Sequence, residues 1–227
     1  MKIAQRLNTH TRKLLAMSVC LIPAIGVAAE DLSYTYAEVD YINLDVDQPG
    51  EKLRYNDWDD GSGYGIKGSV AVTPSIFVYG EYSESEADFS FTDNNDALVP
   101  GNTDLVRLNF GLGYVLPMNT TTDLVFSGGY SDIDFDRFRL GASGDSSLND
   151  LRDDPSDGFT IDGKLRSQLT PSLEGSLGAR YTDIDNFDGV SLIGSLMYEF
   201  TPNWGLNVSL DAGDELMTWS AGVRYSF

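Results

Sequence analysis

Met217-Thr218-Trp219-Ser220-Ala221-Gly222-Val223-Arg224-Tyr225-Ser226-Phe227 is the stretch that decides the fold. Counting back from Phe227, every second residue is apolar or aromatic: Tyr225, Val223, Ala221, Trp219, Met217. The residues between them, Ser226, Arg224, Gly222, Ser220 and Thr218, are small or polar. A period of two makes this a strand with one apolar and one polar face.

The same alternation runs back through the chain. Nine further strands are expected, at about Ser33–Asp45, Gly63–Thr73, Ile76–Glu86, Asp104–Leu116, Thr122–Asp134, Gly158–Leu169, from Leu173, from Val190 and from Trp204. The tight connections carry Pro74, Pro117, Pro171 and Pro202. Proline pre-sets a turn dihedral and donates nothing to a ladder, so it belongs at strand ends. The connections on the other side are mostly longer and acidic: Val46–Asp60, Ala87–Thr103, Phe135–Asp157 and Asp183–Gly189. Strands of about ten residues with short turns on one side and long loops on the other suit a membrane barrel, not a soluble sheet.

Aromatic residues sort to the strand ends. One rim collects Tyr41, Tyr64, Tyr82, Tyr130, Phe159, Tyr181 and Trp219, and the other Tyr114, Tyr198, Phe200, Trp204, Tyr225 and Phe227. Two such girdles are expected where a barrel crosses the two membrane interfaces. A soluble sandwich buries its apolar faces and has no reason to sort aromatics this way. The fold class expected is all-β: a transmembrane antiparallel up-and-down barrel of about ten strands, or eight if one hairpin is really loop.

Residues 1–29 read as a secretory signal peptide. Lys2, Arg6, Arg12 and Lys13 precede the apolar run from Leu14 to Ile22, and Val27-Ala28-Ala29 supplies small residues for cleavage. Residues 30–227 then form one barrel domain. Cleavage removes four of the 15 basic residues and none of the 35 acidic ones, taking the formal charge from −20 to −24. So acidic a chain is repelled by nucleic acid, which is not expected as a partner.

The pieces Tyr34-Thr35-Tyr36-Ala37-Glu38, Gly68-Ser69-Val70-Ala71-Val72-Thr73-Pro74, Thr121-Thr122-Asp123-Leu124-Val125, Asn203-Trp204-Gly205-Leu206 and Val223-Arg224-Tyr225-Ser226-Phe227 resemble the small Gram-negative outer-membrane β-barrel family. More closely they resemble its subfamily named for a quorum factor. The resemblance implies a fold and an outer-membrane location. It also implies partners: outer-membrane lipid and lipopolysaccharide, with the barrel assembly machinery and periplasmic chaperones during biogenesis. Trp219, Val223, Tyr225 and Phe227 resemble the terminal assembly signal. No piece resembles a catalytic motif, a released peptide or a receptor ligand.

The lone cysteine, Cys20, and the lone histidine, His10, both fall within the expected signal peptide. The remainder has no disulfide, no thiol nucleophile and no histidine base, which removes the usual triads. No enzyme and no cofactor are expected. The polar faces point into the lumen and bring in Glu38, Lys67, Glu81, Arg107, Asp162, Lys164, Arg166, Glu174, Arg180, Glu199 and Arg224. Charges of both signs on neighbouring strands predict a salt-bridged plug, with a narrow path for ions or small solutes as the alternative. Asp132-Ile133-Asp134-Phe135-Asp136 and Asp183-Ile184-Asp185-Asn186-Phe187-Asp188-Gly189 read as solvated acidic loops that keep the extracellular face polar, with diffuse binding of divalent cations as the alternative, since the spacing of an EF-hand is missing. Deleting Phe227 is expected to lower the heat-modifiable, folded protein recovered in outer membranes. Unchanged levels would remove the terminal strand's assembly role.

Overall fold

The computed structural model describes residues 32–46, 57–58, 60–92, 98–140, 156–184, 187–213 and 216–227. The expected signal peptide and its cleavage site lie outside the described residues. Ten strands make up the barrel: β1 (Tyr36–Val46), β2 (Gly61–Thr73), β3 (Ile76–Thr92), β4 (Leu98–Pro117), β5 (Thr122–Leu140), β6 (Ser156–Thr170), β7 (Leu173–Ile184), β8 (Phe187–Glu199), β9 (Trp204–Ala212) and β10 (Leu216–Ser226). Each pairs antiparallel with the next in sequence. β10 returns to β1, from Tyr36↔Ser226 to Val46↔Leu216, so the sheet is closed.

The strand faces follow the alternation. On the outer face Val39 is 60% exposed, Leu177 69% and Leu192 65%, fractions that only a lipid environment accommodates in such number. More large apolar side chains are exposed than buried. Tyr41 packs its ring 5.7 Å from Tyr64 and 6.1 Å from Trp219 on one rim. Trp204, Tyr225 and Phe227 are stacked edge-on at 4.9 Å spacings on the other. Trp219, Val223 and Phe227 of the expected assembly signal are exposed on this outer face, and Tyr225 is half-buried in its rim stack.

Four expectations about connections are corrected. The segment Ala87–Thr103 is not one long loop: β3 runs to Thr92 and β4 begins at Leu98, paired from Thr92↔Leu98. β5 runs to Leu140, so Asp132–Asp136 lies in a strand. Asp183–Gly189 is the end of a hairpin, with Asp183 opposite Asp188. In the segment Val46–Asp60, Asp57 and Trp58 pair with Ser90 and Phe89. The physical reason is shared. Ala87-Asp88-Phe89-Ser90-Phe91-Thr92 and Asp132-Ile133-Asp134-Phe135 keep the period of two, and backbone pairing outweighs their acidic composition. β3, β4 and β5 consequently extend as a three-stranded tongue past the Ile133↔Ser156 pair, where β5 leaves β6.

Leu177 lies midway between Tyr181 and the Leu173↔Tyr198 pair on the outer face. Leu177→Arg is expected to destabilise the barrel by about 2–4 kcal/mol, the cost of a cation near the bilayer midplane. Equilibrium unfolding from lipid vesicles measures it, and a change under about 0.5 kcal/mol would place Leu177 away from lipid.

Candidate functional site: the charged lumen

With the apolar side chains outside, the lumen is the only interior the described barrel has, and side chains fill it. Its middle is polar. Glu38 on β1 stands directly opposite Arg224 on β10 and Lys67 on β2. Arg224 Nε donates to Glu38 Oε2 at 2.5 Å, and Asn207 Nδ2 donates to Oε1 at 3.0 Å. Lys67 Nζ lies 3.6 Å from Glu38 and 3.1 Å from Asp40. Asp40 is fully buried, and neither of its oxygens has an aligned hydrogen bond, so the ammonium compensates it by charge alone. This cluster spans the seam where the first and last strands meet.

A second cluster sits on β6 and β7. Asp162 faces Arg180 across the ladder and accepts from its Nε at 2.7 Å. Ser127 on β5 donates to Asp162 at 3.0 Å, and Arg180 Nη1 reaches over β8 to Asp211 at 2.7 Å. The third cluster is bidentate: Arg166 Nε and Nη2 donate to the two oxygens of Glu174 at 2.6 and 2.8 Å. Two parallel bonds of this kind fix orientation as well as charge.

Arg166 also holds something the strand pattern did not predict. Residues 32–35 precede β1 and are not strand. They fold into one end of the lumen, with Leu32 3% and Tyr34 5% exposed. Tyr34 donates its hydroxyl to Asp123 at 2.8 Å and stacks on Phe77 at 5.3 Å. The Arg166 guanidinium lies 4.5 Å over the Tyr34 ring and donates to the Ser33 carbonyl at 2.9 Å. Ser69 donates to the Tyr34 carbonyl and Ala71 N–H to the Thr35 hydroxyl. Leu32 and Tyr34 join Ala71, Phe77, Val115 and Val125 in one apolar cluster. Gly113 makes room for it, because a Cβ there would strike the Phe77 ring. The result is a strap across the mouth on the proline-turn side.

Above the strap remains a cavity of about 190 Å³. Glu38, Lys67, Glu81, Arg107, Lys164 and Arg180 are among its lining residues, with Asp162 and Arg224 at its wall. Glu174 and Arg166 lie with the strap, and Glu199 is half-buried at the end of β8. Of the residues expected in the lumen, Arg107 and Lys164 alone among the cations have no ion-pair partner among the described residues. Sequence reasoning left out Asp40, Asp123, Asn207 and Asp211 as partners, although alternation already put them on the inner face. It missed the strap because Ser33-Tyr34-Thr35 continues the strand pattern of β1. No group of histidine, cysteine or carboxylate residues that would hold a metal ion occurs among the described residues.

A closed ten-stranded barrel with an apolar exterior, aromatic rims and a charged interior is an integral outer-membrane protein. The chain belongs to the outer membrane protein beta-barrel domain family, whose pattern matches residues 14–227. Its location is the outer membrane of a Gram-negative bacterium, where its exterior meets lipid. No curated protein sequence matches the chain. Among solved structures, the translocator domain of autotransporter NalP from Neisseria meningitidis is similar at 12% identity and a TM-score of 0.51, covering 96% of this chain and 95% of that one. The outer membrane protein OprG from Pseudomonas aeruginosa is similar at 10% identity and 0.49, covering 86% and 97%. The KdgM porin in complex with disordered oligogalacturonate is similar at 12% identity and 0.45, covering 84% and 99%. At these identities the likeness is one of fold.

Arg166→Ala leaves Glu174 buried without a partner and frees the Ser33 carbonyl. A loss of about 3–5 kcal/mol is expected, because a stranded buried charge carries its full desolvation cost. The urea midpoint of the heat-modifiable form measures it. A loss below about 1 kcal/mol would mean that Glu174 finds water at once.

Proposed function

We propose that the protein is a non-enzymatic outer-membrane barrel with a lumen closed at rest, which acts as a structural or surface-interaction protein. The observation that carries this reading is the strap: Leu32 and Tyr34 occupy one mouth, and Arg166, Asp123 and Ser69 fasten it. The charge clusters above it occupy the lumen wall in place of an apolar core and leave the cavity of about 190 Å³ between them. The tongue formed by β3, β4 and β5 supports a role on the side opposite the proline turns. Glu86 there accepts from Asn102 at 2.7 Å, and Asp88 is exposed. The cation-taking alternative for the acidic segments belongs with this surface, as does contact with lipopolysaccharide.

The second reading, a narrow pore for ions or small solutes, is favoured by the cavity above the strap. Single-channel recording of refolded residues 30–227 in a planar bilayer separates the two. The closed reading expects silence from protein shown to be folded by its gel mobility, and discrete steps from Tyr34→Ala, which removes the ring from the mouth. Stable, uniform steps from the unmodified barrel would replace the closed reading with the pore.

A further inference from the structure

Lys164 is, with Arg107, one of the two cations lining the cavity that have no ion-pair partner among the described residues. It points inward on β6 between Asp162 and Arg166, and both of those neighbours are committed. Asp162 serves Arg180 and Ser127, and Arg166 serves Glu174. The residues opposite Lys164 on the flanking strands are Val125 and Gly178, and neither offers a side-chain acceptor. At Gly178 the two strands approach so closely that a Cβ would strike the Gly163 carbonyl and the Lys164 backbone. Glu174, the other inward-facing carboxylate within the β6–β7 ladder, is held bidentately. The guanidiniums of Arg166, Arg180 and Arg224 stand in the charge field of the Lys164 ammonium, as do the carboxylates of Asp162 and Glu174, but both carboxylates are already paired to arginines. Among the described residues no hydrogen bond or ion pair reaches Nζ, and the side chain lines the cavity of about 190 Å³.

An ammonium held in the lumen with no carboxylate in contact carries a desolvation cost that no ion pair offsets. Water in the cavity answers its three donors but not its charge. A small anion answers both. We infer that the cavity is a binding site for one small anion, inorganic or the carboxylate of a small solute, seated on Lys164 Nζ with the Arg180 and Arg224 guanidiniums nearby. The inference deepens the closed-lumen reading, since a cavity shut on one side by the strap holds an anion where an open channel only passes it.

Bromide is the probe for the site itself. Crystals of the barrel soaked in sodium bromide are expected to show an anomalous peak in contact with Lys164 Nζ, absent in Lys164→Met. Acetate tests the carboxylate case. At matched ionic strength, titrating sodium acetate into the micelle-embedded barrel is expected to raise its unfolding midpoint saturably, as ligand linkage requires. The sodium salt of a bulky sulfonate, too large for the cavity, is expected to leave it unchanged. The acetate shift should be lost in Lys164→Met and kept in Lys164→Arg. A saturable acetate shift together with the bromide peak points to a solute carboxylate, and a bromide peak alone points to an inorganic ion. No bromide peak in the unmodified barrel overturns the inference, and so does a peak or shift that persists in Lys164→Met. If Lys164→Met fails to fold, the bromide result on the unmodified barrel decides alone. Conduction by the unmodified barrel would end the closed-lumen reading while leaving the bromide result to stand or fall separately.

Discussion

Backbone pairing at the seam is the constraint on which everything else depends. Inside a bilayer an unpaired N–H or C=O has no water to turn to, so a sheet survives there only when its first and last strands meet. β1 and β10 meet along eleven register pairs, from Tyr36↔Ser226 to Val46↔Leu216. Backbone bonds make the seam possible but do not select which residues face each other. A slip of one residue would turn Val39 and Tyr41 inward and Glu38 and Asp40 toward lipid. The lumen removes that ambiguity, because Glu38 meets Arg224 and Lys67 in only one register.

The charged lumen therefore does work that an apolar core does in a soluble protein, by a different balance. Buried ion pairs are a weak source of net stability, since desolvation offsets much of the Coulomb gain. Their strength is discrimination. Each of the three clusters crosses a strand boundary, and Arg180 to Asp211 crosses two. The apolar exterior contributes what the lumen does not, through lipid contact along every outward row. Stability lies mostly outside and specificity mostly inside, the reverse of a soluble domain.

How much of this was legible follows from what alternation encodes. A period of two states which face a residue takes, so Val39 outward and Arg166 inward could both be read. It does not state which inward residues touch. Asp211 lies two strands from Arg180, and only closure brings them together. Alternation also persisted where composition argued for loops. Ala87–Thr92 and Ile133–Phe135 are acidic around their apolar positions, yet pairing with β4 and its neighbours absorbs them. The strap failed in the opposite sense. Ser33-Tyr34-Thr35 alternates as a strand should, but the ladder to β10 begins at Tyr36, and the backbone before it is free to turn inward. A cavity for Tyr34 exists only because Gly113 lets Phe77 lie flat against the wall, a fact of packing with no local signature.

The strap and the seam are not independent devices. Thr35 precedes β1 directly, and its carbonyl accepts from the Phe227 N–H at 3.0 Å. Phe227 thus does two things at once: its ring sits in the lower aromatic rim, and its backbone fastens the strap's last residue. Asn203 adds to the same corner by donating to the Ser226 carbonyl at 2.8 Å. Without the β10–β1 pairing Thr35 would lack this bond, and the strap would keep hydrogen bonds only to β2, β5 and β6. The seam and the strap therefore share a fastening point at Phe227. A strap of only four described residues, 32–35, is thus anchored at its last residue as well as in the apolar cluster. It does not hold itself in place by burial alone, because the end of β10 bonds the carbonyl of its last residue.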